Sequence, residues 1–133
     1  MSKSVNFQTL QTSKNDDFIQ ELKSSSKIIN EENASQYFRT LSLRFSTNPT
    51  NRITKAILST FYELISTREE MLNIFAQNRI FLSLPYSEKV YNREILRILY
   101  VIMKEAPETV VTGLESEFKT LIQYECKKCL LLL

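Results

Sequence analysis

The sequence predicts an all-α protein, and three observations lead to this fold class. Apolar residues recur at helical spacing through most of the chain. A single glycine among 133 residues leaves few sites for the tight turns of a hairpin-rich β protein. A pattern of one long and one short helix also recurs after about 40 residues, a period typical of stacked helical repeats.

Composition favours one domain and argues against catalysis. The chain is 43% hydrophobic and 24% charged, with a net charge of +2, which is typical of a globular domain with no overall attraction to nucleic acid or membranes. Without histidine it has no Ser-His or Cys-His pair and no imidazole ligand. Phosphate-binding loops need several glycines, and two cysteines alone cannot complete a zinc site. We therefore expect neither an enzyme nor a cofactor.

Elements in the first half of the chain follow from periodicity and capping residues. Residues 1–14 are polar and lack a period, so we expect a flexible N-terminal arm before a single domain over 15–133. A helix from Asp16 is weakened by the serines at 24–26. Asn30 is expected to cap the next helix. The apolar face of that helix is Ala34, Tyr37, Phe38, Leu41 and Phe45.

The second half contains the stronger helices. One runs from Pro49 or Thr50 to Ile65, and Thr67 to Glu70 has the sequence of a capping box for a short helix. Residues 80–84 form an apolar connector or short helix, and a strong helix covers about 88–105. Pro107 starts a short helix through Leu114, and a last helix is expected to reach the C-terminus.

An internal repeat links these helices. Asn51-Arg52 recurs as Asn92-Arg93, and the apolar residues behind each pair also match. Since a helix pair with one apolar face cannot bury that face alone, neighbouring pairs would stack, as in armadillo and HEAT repeats. We expect about three short repeats, with two near 51–86 and 92–133. An irregular helical bundle is the alternative.

The repeat region resembles a known family. The stretch 51–57, Thr67-Arg68, and Phe75 followed by Ile80 are similar to the cell-differentiation armadillo-repeat family. A second stretch with Leu96, Ile98, Leu99, Ile102, Met103 and Lys104, and then Val110, Val111 and Leu114, fits the same pattern. The resemblance spans about residues 50–117, in a chain about half as long as the family. That family supplies the armadillo subunit of the Ccr–Not messenger-RNA deadenylase complex.

The resemblance implies a non-catalytic scaffold or protein-interaction module. Its partner would be the large scaffold subunit of the deadenylase complex, and its location would be cytoplasmic and also nuclear.

The clearest candidate binding surface lies on the helix at 88–105. At 100° per residue, one arc of about 80° contains four cations and a tyrosine; these are Lys89, Arg93, Arg97, Tyr100 and Lys104. Such a strip can bind acidic peptides, phosphates or a stacked base, although a charged helix face is commonly only solvated. A partner-binding strip is our first functional interpretation, and a nucleic-acid-binding domain is the alternative.

The C-terminus is a second candidate interface. It ends in four leucines, and Cys129, Leu130 and Leu133 lie on the apolar stripe of the last predicted helix. This stretch is too short to anchor a chain in a membrane. We expect it to dock on the last repeat or to contact a partner or a second copy of the chain.

Overall fold

The computed structural model describes residues 5–12, 15–47 and 49–105. Within these ranges the ordered elements are helices, which confirms the all-α prediction for the described part of the chain. The six α-helices are α1 (Phe7–Thr12), α2 (Asn15–Ser25), α3 (Ala34–Leu43), α4 (Asn51–Thr67), α5 (Glu69–Gln77) and α6 (Asn92–Glu105). Short 3₁₀ turns cover Arg44–Thr47, Ile80–Ser83 and Lys89–Tyr91.

Residues 7–12 differ from the flexible arm that we expected over 1–14. Phe7–Thr12 form α1, and Leu10 within it is fully buried. The side chain of Asn6 accepts a hydrogen bond from the Thr9 backbone N–H at 3.1 Å, and Arg44 donates to the Gln11 carbonyl at 2.8 Å. A helix this short shows too little periodicity to be detected in sequence, and its stability comes from packing.

The serine run ends α2, and Asn30 organises the turn that follows. The Ser25 hydroxyl donates to the Leu22 carbonyl and lies 3.0 Å from the Tyr37 hydroxyl. The Asn30 side chain accepts from the backbone N–H groups of Glu32 and Asn33. The N-cap residue of α3 is Asn33, and its side chain makes no capping hydrogen bond. Asn30, which we expected to be the cap, instead stabilises the turn that leads into the helix.

Helix α4 occupies the middle of the fold and packs against α2, α5 and α6. The Thr50 hydroxyl accepts from the Ile53 backbone N–H and caps its N-terminus. Its apolar side is buried, and Ile57, Leu58 and Phe61 are each fully inaccessible to solvent. The prediction of this helix is therefore confirmed, with an end slightly beyond Ile65.

The predicted capping box at Thr67–Glu70 is wrong. Thr67 is still helical, and its hydroxyl donates back to the Glu63 carbonyl at 2.6 Å. Arg68 is instead the single extended residue between α4 and α5. Its guanidinium donates to the Ile29 carbonyl and to Glu70, each at 2.8 Å. Glu70 thus binds an arginine side chain rather than the backbone of a capping threonine.

The structure contains the long helix of each of the two predicted repeats. Asn51-Arg52 opens α4 and Asn92-Arg93 opens α6, and these two helices pack together. The matched residues Ile57 with Ile98, Leu58 with Leu99, and Phe61 with Ile102 are all fully buried. The helices expected after Pro107 lie outside the described residues, so a stack of armadillo type stays a prediction.

Arg79 provides a stability test of the corner after α5. It has a left-handed backbone with φ of 54°, a conformation that costs a non-glycine residue about 1–2 kcal/mol. Glycine would relieve this strain, but it would also increase the conformational entropy of the unfolded chain, which opposes folding. We therefore expect Arg79→Gly to raise the unfolding free energy by about 0.5–1 kcal/mol in urea titrations. The matched control Gln36→Gly, on the exposed face of α3, should lower it by about 1 kcal/mol. A destabilised Arg79→Gly protein would contradict this account.

Tyr37 gives the fold a pH dependence at its alkaline end. Burial raises the pKa of Tyr37 from 10.0 to about 12, although the Ser25 bond opposes this. Below about pH 10 the hydroxyl is neutral in both states; above that the unfolded chain ionises first, so stability falls as pH rises toward 12. We expect Tyr37→Phe to have a flatter stability profile between pH 10 and 12 than the wild type, measured by urea unfolding. Parallel profiles would show that Tyr37 does not cause the alkaline loss.

Candidate functional site

The structure places the predicted basic strip on the solvent side of α6. The four strip residues of α6 and the one in the preceding 3₁₀ turn are all exposed; they are Lys89, Arg93, Arg97, Tyr100 and Lys104. The opposite side of the helix, with Ile95, Ile98 and Ile102, is fully buried. Tyr100 is 60% exposed, so its ring is accessible to a ligand.

Arg97 connects this strip to α4. Its guanidinium carbon lies 4.3 Å from the centre of the Tyr62 ring, within the range of a cation–π interaction. Tyr62 is half-buried. The contact orients Arg97 toward α4, so the strip forms one side of a groove between two helices rather than an isolated charged face.

The larger part of this groove is an open cleft of about 490 Å³ between α4, the start of α5 and the end of α6. Ile65, Leu72 and Val101 contribute its apolar surface. Tyr100 and Lys104 of the predicted strip line it from α6. Its size is within the range of ligand-binding cavities, and its mixed lining suits a peptide side chain.

A smaller cavity of about 280 Å³ continues the groove toward the start of α6. Lys55, Glu94 and Arg97 supply its charges, and Tyr62 lines both cavities. We call the two together the α4/α6 groove. Within the described part of the chain, Oε2 of Glu94 is buried without a hydrogen-bond partner, so this end of the groove has an acceptor available for a donor group.

The start of α5 is a fixed wall of the groove. Arg68, which lines the larger cavity, is held by the Ile29 carbonyl and Glu70. A hydrogen bond from its own backbone N–H, and then the Arg68 guanidinium, lower the pKa of the Glu70 carboxyl. The Glu70 carboxyl is therefore ionised at neutral pH, where it pairs with Arg68 at 2.8 Å.

The groove offers binding groups rather than a recognisable set of reacting groups. Two tyrosine rings and four cations line it, beside three hydroxyl side chains; the cations are Lys55, Arg68, Arg97 and Lys104, and the hydroxyls are those of Ser59, Ser66 and Thr67. Among the described residues, no three Cys, Asp or Glu side chains are grouped to hold a metal ion. The same part of the chain has no helix that is long and apolar enough to cross a membrane.

The sequence identified only one side of this site. Tyr62 and Lys55 were not predicted, although Lys55, Ser59, Tyr62 and Ser66 recur at helical spacing on one face of α4. That face is polar, and only the packing of α4 against α6 makes it the second wall of a groove. The predicted interface residues Cys129, Leu130 and Leu133 lie outside the described residues.

Comparisons of the sequence with models of protein families, with curated proteins and with solved structures give no match.

A double-mutant cycle can measure the contact between Arg97 and Tyr62. We expect Tyr62→Leu and Arg97→Gln to show a coupling of about 0.5–1 kcal/mol in unfolding free energy, because each removes the same cation–π contact. Tyr62→Leu combined with Lys104→Gln is the control, and its coupling should be near zero. Equal couplings in the two cycles would mean that Arg97 does not stack on Tyr62.

Proposed function

We propose that this protein is a non-catalytic interaction module that binds a protein segment in the α4/α6 groove. The observation that carries the proposal is the exposed Tyr100 ring beside an open cleft with apolar surface and cationic rims. Exposed aromatic and arginine side chains next to a concave surface are typical of protein-interaction sites. Arg97, held against Tyr62, is preorganised for such contacts.

We propose further that the chain is a short armadillo-like repeat stack related to the armadillo subunit of the mRNA deadenylase complex. The Asn-Arg openings of α4 and α6 and their matched buried residues support a repeat. The quoted motif residues at 51–57, 67–68, 75 and 80 support the family. Its partner would then be the large scaffold subunit of that complex, and it would act in the cytoplasm and nucleus.

A nucleic-acid-binding domain is the second candidate, because the strip combines Arg97 and Lys104 with an exposed aromatic ring. The groove favours it less. Glu69, Glu94 and Glu105 line the same two cavities, and carboxylates at these positions would repel a phosphate backbone.

Affinity purification of the tagged full-length chain tests the proposal. We expect the scaffold and deadenylase subunits to co-purify with the wild type, as identified by mass spectrometry. Tyr100→Ala combined with Lys104→Glu should reduce their recovery at least tenfold, since aromatic anchors and opposed charges at an interface each contribute about 1 kcal/mol or more. The control Lys27→Glu, an exposed charge in the turn after α2, should leave recovery unchanged.

Two outcomes would contradict the proposal at different points. Absence of these subunits from the wild-type purification would overturn the deadenylase assignment. Equal recovery with the double variant would show that the groove is not the binding surface. Tight RNA binding by the wild type, with a salt dependence that the double variant reduces, would favour the nucleic-acid candidate.

A further inference from the structure

The smaller cavity of the α4/α6 groove contains a hydrogen-bond acceptor and a donor that do not bond to each other. Glu94 and Arg97 both line this cavity, and residues three apart in a helix start from neighbouring positions on its surface. Oε2 of Glu94 is nevertheless buried without a hydrogen-bond partner, while the Arg97 guanidinium lies over the Tyr62 ring. The cavity therefore presents a carboxylate oxygen and a guanidinium as separate groups.

The mixed charges of this cavity favour a ligand group that is polar but neutral. A carboxylate would pair with Lys55 and Arg97, but it has no hydrogen to donate to the Glu94 oxygen. An ammonium group would pair with Glu94, but it would lie beside the two cations. A primary carboxamide avoids both conflicts, because it is uncharged and has N–H donors and a carbonyl acceptor on different atoms. It would also remove the cost of a buried acceptor without a partner.

The size and burial of the cavity favour glutamine as the source of this carboxamide. The volume is about 280 Å³, against about 30 Å³ for one water molecule in the liquid, so a side chain can enter. Lys55 and Arg97 are exposed, whereas Glu94 is partly buried, so the acceptor lies deeper than the cations. Glutamine reaches further than asparagine by one methylene group. Leu58 and the Tyr62 ring supply apolar surface for its methylene groups.

We infer that the smaller cavity of the α4/α6 groove binds the side-chain carboxamide of a glutamine in the protein partner. The NH₂ group donates to Oε2 of Glu94, and the carbonyl accepts from the Arg97 guanidinium. This inference rests on the proposed interaction function and adds the residue type that this end of the groove recognises. Because Arg97 already contacts Tyr62, it loses less side-chain freedom on binding than an unconstrained arginine would.

NMR titration of the isotope-labelled full-length chain tests this inference. The probes are the N-acetyl, N-methylamide derivatives of glutamine, asparagine, glutamate, methionine and lysine, which share one main chain and differ only in the side chain. We expect the glutamine probe to bind about fivefold or more tightly than the glutamate, methionine and lysine probes. Glutamate and methionine leave the Glu94 oxygen without a donor, and lysine places a cation beside Arg97. The shorter asparagine probe should bind more weakly than the glutamine probe.

Variants assign the binding to the two polar groups of the cavity. Glu94→Met removes the acceptor and Arg97→Met removes the donor, so each should weaken binding of the glutamine probe about fivefold. Arg97→Lys keeps a donor and should bind the probe more tightly than Arg97→Met. The matched control Glu63→Met changes an exposed carboxylate of α4 that lines neither cavity, and it should have no effect. Circular dichroism shows that each variant is folded.

Three results would overturn the inference: no saturable binding of the glutamine probe, equal binding of the methionine or glutamate probe, or binding that Glu94→Met leaves unchanged. Tighter binding of the asparagine probe would overturn the assignment to glutamine. If the scaffold is still captured through the groove in these cases, the proposed function stands and only the recognised residue is wrong. If the glutamine probe binds as expected but no deadenylase subunit co-purifies, the inference stands and the deadenylase assignment falls.

Discussion

The described fold depends on three phenylalanines that meet where α3, α4 and α5 converge. Phe38, Phe61 and Phe75 are fully buried, and their ring centroids lie 5.2–5.6 Å apart in edge-to-face pairs. Each ring comes from a different helix, so the cluster fixes the mutual position of three helices through large apolar surfaces with specific geometry. Tyr62 follows Phe61 directly, and the inward direction of Phe61 therefore sets the position of Tyr62 at the groove.

Two arginines attach the remaining segments to this core. Arg44 is 8% exposed and donates to the Gln11 carbonyl, while its guanidinium lies 4.8 Å from the centre of the Phe18 ring. Arg68 holds the Ile29 carbonyl from the corner between α4 and α5. Both donate to backbone carbonyls, that of Gln11 in α1 and that of Ile29 between α2 and α3, and guanidinium groups do this well because they offer several donors in a fixed plane. The hydrogen bonds of Arg44 and Arg68 thus hold segments that lie outside the aromatic cluster.

The groove is a consequence of how α4 and α6 bury their apolar stripes against each other. When two amphipathic helices pack side by side, their polar flanks meet along a seam. Here the flank of α4 carries Tyr62 and Lys55, and the flank of α6 carries Arg97 and Glu94. The Arg97–Tyr62 cation–π contact crosses this seam, and Tyr100 and Lys104 are exposed beside it.

The sequence by itself determined the all-α class, the apolar face of α3, the helices α4 and α6, and the exposed strip on α6, because periodicity directly reports which side of a helix is buried. It missed α1, whose six residues show no period, and it placed a cap at Thr67, although the hydroxyl of that residue bonds within α4. Only the tertiary structure paired α4 with α6 and so joined Tyr62 to Arg97. That pairing depends on long-range packing around Phe61, and a local pattern of residues contains no information about which helix will be the neighbour.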